Sequence, residues 1–421
     1  MRILHVGWGY PPQWMGCGPV VYVHTLALAQ KHAGDVAVVA VASDRTVDGA
    51  PYAPAVENIE GIPYVHLQNR PVKMHDFWNP GREASDPACE QAFAHLLREA
   101  RPEVVHIHNF VGLSFGIVDV AKEFGARVVT SLHNYFPVCS RDDLFFGDVE
   151  RCGGPRERSC SNCLGTLEGD DAYRARHGRA VGALDACDVL LAVSRRVAEI
   201  YGAQGVRTDH MAVEHIGSVT AERLWADMGR RRVEDARTGA RADGPLRVAF
   251  FGSPTPRKGV VSFLQAVRQL GAPEQVEAQL YGGLSPQTAA HLEGLVQAMD
   301  PAHATRLSLR GGFSHPDLPR MLAGADVAVL PPRWEDNGPQ TVLESLAAGV
   351  PVVATRLGGI PDFVDDGVNG ILVEDGYPEQ LAAAIDKLAG DRSLLARLRS
   401  GIRPPRTMEE HRVALADHYM A

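Results

Sequence analysis

The sequence predicts an α/β protein built from two doubly wound, Rossmann-like domains, and three observations carry that expectation. At 421 residues the chain is longer than one hydrophobic core usually serves. Short runs rich in β-branched residues alternate with longer segments of helical periodicity throughout, the pattern of parallel sheets covered by helices. The pattern also begins twice. Arg2-Ile-Leu-His-Val-Gly7 and Arg247-Val-Ala-Phe-Phe-Gly252 are similar openings, each an apolar strand that delivers a glycine into a polar turn.

In the first half, strands are expected at Arg2–Val6, Val36–Val41, Val104–Ile107, Arg127–Ser131, Val189–Val193 and Met211–Ile216. Helix-spaced apolar residues mark Tyr22–Lys31, Ala88–Ala100 and Val111–Phe124. Thr220 to Gly244, dense in Arg, Asp, Glu and Ala and running into Asp243-Gly244-Pro245, reads as a helix followed by a linker. The second half continues with strands at Arg247–Phe251, Gln279–Tyr281, Arg306–Leu309, Val327–Leu330, Val352–Ala354 and Gly370–Val373. Near the end, Ile402-Arg403-Pro404-Pro405 interrupts a helix that stops near Ser400. His411–Met420 begins another, with Val413, Leu415, Ala416 and Tyr419 as its apolar residues.

Composition excludes several classes of function. Hydrophobic residues at 45% and charged residues at 22% describe a globular chain. Lys and Arg total 42 against 51 Asp and Glu, a net charge of −9 with no basic block, so nucleic acid is not an expected partner. The apolar stretch Val36 to Ala42 is far shorter than the roughly 20 residues that cross a bilayer, and no transmembrane segment is expected. His5 interrupts the amino terminus, which lacks a secretory cleavage pattern, so a cytoplasmic enzyme is expected. Seven cysteines, an odd number, suit reduced thiols or a metal site better than a disulfide framework.

Open parallel sheets bind ligands beyond the carboxyl ends of their strands, so the strand-to-helix loops are the place to look. The most informative runs from Trp334 to Thr355: an acidic, Gly-Pro loop, a helix, then a Gly-Val-Pro turn into the next strand. Pro339 and Thr341 suit a helix amino terminus, where unpaired amides and the helix dipole attract phosphate. Asp336 stands just outside that terminus and Glu344 about a turn inside it. Carboxylates that accept hydroxyl hydrogen bonds beside amides that hold a diphosphate suit a sugar nucleotide. A helix with an acidic first turn is the plainer account of the same residues.

These segments resemble the retaining family-4 glycosyltransferases of the GT-B fold. Asp336 and Glu344 occupy the two positions of an E-x7-E signature. Gly358-Gly359-Ile360-Pro361-Asp362 and Asp366-Gly367-Val368-Asn369-Gly370 are similar to the family's GGxPE and DGxNG segments, and Gly252 to Gly259 is similar to its GRLxxxKG loop. In the first half, Pro11-Pro12 with Gly16 and Gly18 is similar to the glycine loop, and Thr130 to Tyr135 to the TLHDY segment.

The resemblance implies a donor of the UDP-, GDP- or dTDP-sugar type, a hydroxyl acceptor that is a small molecule or a glycan, and no catalytic metal. It implies an acceptor domain of residues 1–217, onto which 408–421 cross back, and a donor domain of 218–407; a homodimer is compatible with it. Glu344 would accept the ribose hydroxyls, Asp336 the donor-sugar hydroxyls, and Lys258 would neutralise the departing diphosphate. Gly252, Ser253, Arg257 and the amides of Gly338, Gln340 and Thr341 would complete the phosphate cradle, while Gly312 and Phe313 would hold the base. His133 would touch the donor sugar, with Gly16 and Gly18 letting backbone approach phosphate or acceptor. Ser253 stands where the family offers an arginine, Arg257 could partly replace it, and Asp336 is a methylene shorter than the usual Glu. Glu335 next to it is an alternative carboxylate.

Cys139, Cys152, Cys160 and Cys163 fall in one Gly-, Pro- and Arg-rich insertion that ends in Cys-x2-Cys, and they suggest a structural zinc loop, with four unrelated loop thiols as the alternative because only one pair is Cys-x2-Cys. Cys17, Cys89 and Cys187 read as buried or incidental thiols. His106 and His108 read as structural or acceptor-facing rather than as a metal pair, because a catalytic metal needs about three protein ligands. Trp8, Trp14, Trp78 and Trp334 read as core or cleft wall. Ser194 lacks a G-x-S-x-G frame. A dinucleotide oxidoreductase is disfavoured because Gly7-Trp8-Gly9 runs into Pro11-Pro12 instead of a third glycine. A sugar-nucleotide-binding protein without transfer activity is the remaining alternative.

Overall fold

The computed structural model describes residues 1–12, 18–42, 52, 54–67, 79–238, 244–283 and 285–420. They form two compact units, one of residues 1–147, 151–217 and 407–421, the other of residues 148–150 and 218–406. Among the described residues no helix is long and apolar enough to cross a membrane.

The first unit is built on eight strands: β1 (Arg2–Gly7), β2 (Val36–Val41), β3 (Ala55–Ile59), β4 (Ile62–His66), β5 (Val104–Ile107), β6 (Arg127–Leu132), β7 (Val189–Ala192) and β8 (Met211–Val213). Their order is β8-β7-β6-β5-β1-β2-β4-β3, and only β3 runs antiparallel to its neighbour. Central β5 is buried along its whole length, as a strand covered by helices on both faces must be. The β3–β4 hairpin has no counterpart among the expected strands. Its two-residue turn is Glu60-Gly61, both at positive φ, which is the primed geometry that matches strand twist. The strand order reverses across β1, so the loops after β1 and β5 flank the place where such sheets bind ligands.

The second unit carries six parallel strands: β9 (Leu246–Phe251), β10 (Val276–Tyr281), β11 (Leu307–Gly311), β12 (Val327–Leu330), β13 (Val352–Thr355) and β14 (Gly370–Val373), in the order β11-β10-β9-β12-β13-β14. Alternation along β9 divides the core in two. Val248 and Phe250 pack with Phe263 and Ile385, whereas Ala249 and Phe251 pack with Leu322 and Val342 on the opposite face. The order reverses between β9 and β12, which brings the loops after those strands together. The segment from Thr220 begins with helix Val219–Thr238; the linker residues 239–243 lie outside the described residues.

Several expected boundaries move. The helix expected from Val111 starts at Ile117 after a turn, and the strand expected to reach Ile216 ends at Val213. The last helix, Met408–Met420, belongs to the first unit, and its buried stripe is Met408, His411, Leu415 and Tyr419. Val413 is 50% exposed, so it is not one of the packing residues. The stripe keeps helical spacing, but a histidine occupies one of its positions because a hydrogen bond satisfies it there.

Candidate functional site

In the second unit the glycine loop leaves β9 and closes into a short 3-10 turn, Pro256–Lys258, ahead of helix Val260–Arg268. Gly259 joins the two at φ +80°, and a Cβ there would lie 1.6 Å from the Pro331 carbonyl oxygen, so only glycine lets the loop seat against the end of β12. That seating sets Lys258 beside the acidic loop. Its ammonium lies 2.8 Å from Asp336 Oδ2 and 4.8 Å from the centre of the Trp334 ring, and the Arg257 guanidinium stands 5.3 Å from the same ring. Each cation faces an indole, which attracts it electrostatically without neutralising it. Ser253 is exposed.

The acidic loop separates its two adjacent carboxylates. Asp336 takes Lys258, while buried Glu335 turns away and accepts from the Gly358 amide at 3.2 Å. Gly358 sits at φ +59°, where a Cβ would meet Asp336 backbone atoms at 2.4 Å, and Gly359 donates to the Asp336 carbonyl at 2.7 Å. The Gly358-Gly359 segment thus clamps the backbone of Asp336. Helix Gln340–Ala347 follows, with Pro339 at its N-cap and no side chain capping it. Its first-turn amides, those of Gln340 and Thr341 among them, have no acceptor within the helix. Glu344 lies buried one turn in. Gly312 and Phe313 follow β11 and are exposed, and Phe313 meets Phe251 edge-on at 6.5 Å. In the glycine and acidic loops, Thr255 Oγ1, Trp334 Nε1 and Asn337 Nδ2 are buried without a hydrogen-bond partner. Buried polar groups are rarely left so, and three of them in the loops that carry this ion pair fit a polar ligand that would supply the partners.

In the first unit, Gly18 opens helix Gly18–His32, while Gly16, Cys17, Trp14 and Trp78 lie outside the described residues. His133 follows β6 and is half-buried, its Nε2 3.2 Å from His108 Nδ1 and its ring 4.8 Å from that of Tyr22. His106 and His108 have a third companion that sequence reasoning missed. Parallel register sets His5 of β1 beside His106 of β5, and the ligating nitrogens of His5, His106 and His108 lie within 4.8 Å of one another. All six of their ring nitrogens face a hydrogen-bonding partner. His5 faces His108 at 2.9 Å and Gln30 at 2.6 Å; His106 faces Tyr419 at 2.7 Å and Ser131 at 2.8 Å; His108 faces His5 and His133. The group is therefore a saturated hydrogen-bond network rather than a set of lone pairs aimed at an ion.

Beyond His133 the chain is pinned by Arg176. Its guanidinium donates to the carbonyls of Phe136 and Pro137 at 2.7 and 3.0 Å, lies over the rings of Phe136 and Phe115, and pairs with buried Glu83. The four cysteines of the insertion then line one cavity of about 20 Å³. Cys160 and Cys163 ride on helix Cys160–Leu164, and the Cys152 sulfur accepts from the Gly154 amide at 3.3 Å. Burial pushes the Cys139 thiol up to about 12 and that of Cys160 to about 11, so both are protonated at neutral pH. Among the described residues only the His5–His106–His108 group brings three such atoms within 4.8 Å, so the sulfurs share a cavity without converging on a point. Cys89 and Cys187 are buried, and Ser194 caps helix Arg195–Ala203 by accepting from the Val197 amide.

Two family descriptions match this chain: Glycosyltransferase Family 4 over residues 17–217 and Glycosyl transferases group 1 over residues 245–391. An uncharacterized glycosyltransferase of Methanocaldococcus jannaschii is 23% identical over 394 residues, which cover 93% of this chain and 90% of that protein. A D-inositol 3-phosphate glycosyltransferase of Mycobacterium tuberculosis is 33% identical over 199 residues, 46% of this chain and 38% of that protein, so the match spans well under two thirds of its length. Among solved structures, HepE of Anabaena in complex with UDP is similar with a TM-score of 0.70 at 17% identity, covering 100% of both chains. Sucrose-phosphate synthase of Thermosynechococcus elongatus gives 0.68 at 19% identity, covering 100% of this chain and 98% of that one. The UDP-forming trehalose-phosphate synthase of Burkholderia xenovorans in complex with glucose-6-phosphate gives 0.69 at 13%, covering 100% of both. At these identities the structural likeness establishes the fold.

Proposed function

The chain belongs to the family-4, group 1 glycosyltransferases, enzymes of the GT-B fold, and from that premise we propose that it moves a sugar from a nucleoside-diphosphate sugar to a hydroxyl acceptor with retention of anomeric configuration. One observation carries the reading. The loops that bring Lys258 to Asp336, with Lys258 facing Trp334, also hold buried polar atoms that lack partners. A diphosphate and a hydroxylated sugar would complete them.

In this reading the diphosphate lies against the Gly252–Gly259 loop and the amides of Gly338, Gln340 and Thr341, where the helix dipole favours negative charge. Glu344 accepts the ribose hydroxyls, Asp336 the hydroxyls of the donor sugar, and His133 touches that sugar. Gly16 and Gly18 give backbone room to phosphate or acceptor. As the bond from the anomeric carbon to the diphosphate breaks, the acceptor oxygen attacks from the same face and its proton passes to the departing phosphate. Lys258 and Arg257 stabilise the charge that develops on that phosphate. The base packs near Gly312 and Phe313. UDP is the nucleotide to try first, since HepE was solved with UDP and with UDP-glucose.

Zinc on Cys139, Cys152, Cys160 and Cys163 is part of the same proposal. Four thiols around one cavity are a suitable donor set, with the sulfurs turning inward to bind. Such an ion would supply structural order alone, because four sulfurs leave no open position.

The test is a panel of UDP-, GDP- and dTDP-sugars followed by thermal shift, since a ligand of the folded state must stabilise it. Transfer is then assayed on glycans, hydroxylated natural products and small metabolites, D-inositol 3-phosphate included, and the anomeric configuration of the product is read by NMR. Inversion would refute retention, and the absence of any stabilising sugar nucleotide would refute the donor assignment.

A further inference from the structure

The hydrogen bonds around the first unit's histidines run in one direction, and that direction determines where the proton of His133 sits. Gln30, 1% exposed, is the anchor. Its Oε1 lies 2.6 Å from His5 Nε2 and its Nε2 lies 3.3 Å from the Tyr419 hydroxyl. An amide oxygen only accepts, so His5 carries its proton on Nε2. Burial keeps His5 neutral, pulling its pKa down to about 4, and a neutral imidazole with a proton on Nε2 offers only a lone pair at Nδ1. His108 Nε2, 2.9 Å away, must then donate. Burial also holds His108 well below its ordinary range, so its Nδ1 is likewise a lone pair, and the atom 3.2 Å from it is His133 Nε2.

The rest of the cluster agrees with this direction. The Tyr419 hydroxyl accepts from Gln30 and donates to His106 Nδ1, and His106 Nε2–H donates to the Ser131 hydroxyl. Tyr22, whose ring faces both His108 and His133, directs its hydroxyl to His411 Nε2 at 2.7 Å. His411 Nδ1 is in turn held 3.1 Å from the Glu214 carboxylate.

We propose that Gln30, His5 and His108 are positioning residues that hold His133 with its proton on Nε2, so that His133 presents Nδ1 as a hydrogen-bond acceptor. The donor-sugar group it meets is then a hydroxyl that donates. A reversed relay would present an N–H and select for an acceptor group instead. The last step, from tautomer to substrate, rests on the reading of His133 as a donor-sugar contact.

The experiment uses the full chain labelled with nitrogen-15 at histidine. Two-bond proton–nitrogen correlation separates the tautomers, and His133→Ala identifies the His133 signals. The expected result is a neutral Nε2–H tautomer at His133, and a mixture of tautomers at His133 in Gln30→Leu. Gln30→Glu, which keeps an acceptor at that position, should restore the single form. In transfer assays Gln30→Leu should raise the KM for the donor roughly fivefold, the scale of one neutral hydrogen bond. An Nδ1–H tautomer in the unsubstituted protein overturns the relay without recourse to any variant. So does a Gln30→Leu protein whose His133 signals do not move. If the tautomers behave as expected but His133→Ala transfers sugar at the normal rate, the relay stands and the donor-contact reading falls.

Discussion

Lys258 and Asp336, 78 residues apart in sequence, meet at 2.8 Å because Gly259 seats one loop and Gly358 clamps the other. The pair is partly exposed, with Lys258 at 34% and Asp336 at 14%, so its worth lies in placement more than in stability. In the proposed reading, a donor that brings a diphosphate and a sugar hydroxyl would find the cation and the carboxylate already oriented, and the cost of ordering them would fall on folding instead of binding.

Lys258→Ala and Glu344→Ala should each lower turnover at least tenfold, since a lost charged contact is worth about 1.5–3 kcal/mol. Steady-state kinetics with the best donor measures this. Normal rates in both variants would remove the proposed donor site.

Glu83→Ala should destabilise the first unit by about 3–5 kcal/mol, because it leaves the Arg176 guanidinium buried without its carboxylate. Denaturant unfolding followed by a probe in that unit gives the value. A change below about 1 kcal/mol, the scale of an exposed pair, would show that the Arg176 contacts to Phe136 and Pro137 carry the site alone.

Asp326 ties the start of β12 to Arg247 and Arg399. Burial alone would raise its pKa, but two hydrogen bonds from the Arg247 side chain, one from its amide and the field of both guanidinium groups outweigh burial and hold it at about 2, against an ordinary 3.8. A depressed folded-state pKa stabilises above the unfolded value and loses its effect as pH falls through the folded one. Asp326→Asn should therefore cost about 2 kcal/mol at pH 7, progressively less below about pH 4, and almost nothing below about pH 2. Stability curves of the two proteins that stay parallel from pH 7 to pH 2 would contradict this.

Protein purified without added metal should hold about one equivalent of zinc, and Cys160→Ser should release it. The same variant should lower acceptor-dependent turnover while nucleotide binding by the second unit stays near normal. Elemental analysis that finds no zinc, with four freely titrating thiols, would refute the zinc proposal; iron in its place would point to a cluster.

The fold class was legible because its signals are local: a β-branched run such as Val36–Val41 and a glycine after Phe251 speak without knowledge of the rest of the chain. The β3–β4 hairpin was hidden by its Glu-Gly turn, which lacks the Asn-Gly or Asp-Gly signature. In the acidic loop, Asp336 and Glu344 could be named from their spacing. That Asp336 and not Glu335 turns to Lys258 depends on the Gly358 amide, 23 residues away from Glu335. His5 was legible only as a break in the amino-terminal apolar run, since its meeting with His106 is a matter of strand register between segments about a hundred residues apart, and no periodicity reports register. Gln30, from the helix between, was invisible for the same reason.

Gly217 is the last residue of the first unit before the chain departs, and Thr407 is where the chain returns. They touch: a Cβ on Gly217 would lie 2.5 Å from the Thr407 carbonyl oxygen and 2.9 Å from His411 Cβ. The 218–406 segment is therefore a cassette whose entry and exit share one doorway, bolted by a residue with no side chain. A peptide of a few residues could bridge that doorway and leave the sheet of the first unit whole, complete with the helix that bears His411 and Tyr419. A different second unit could equally be exchanged through it without rethreading a single strand of the other sheet.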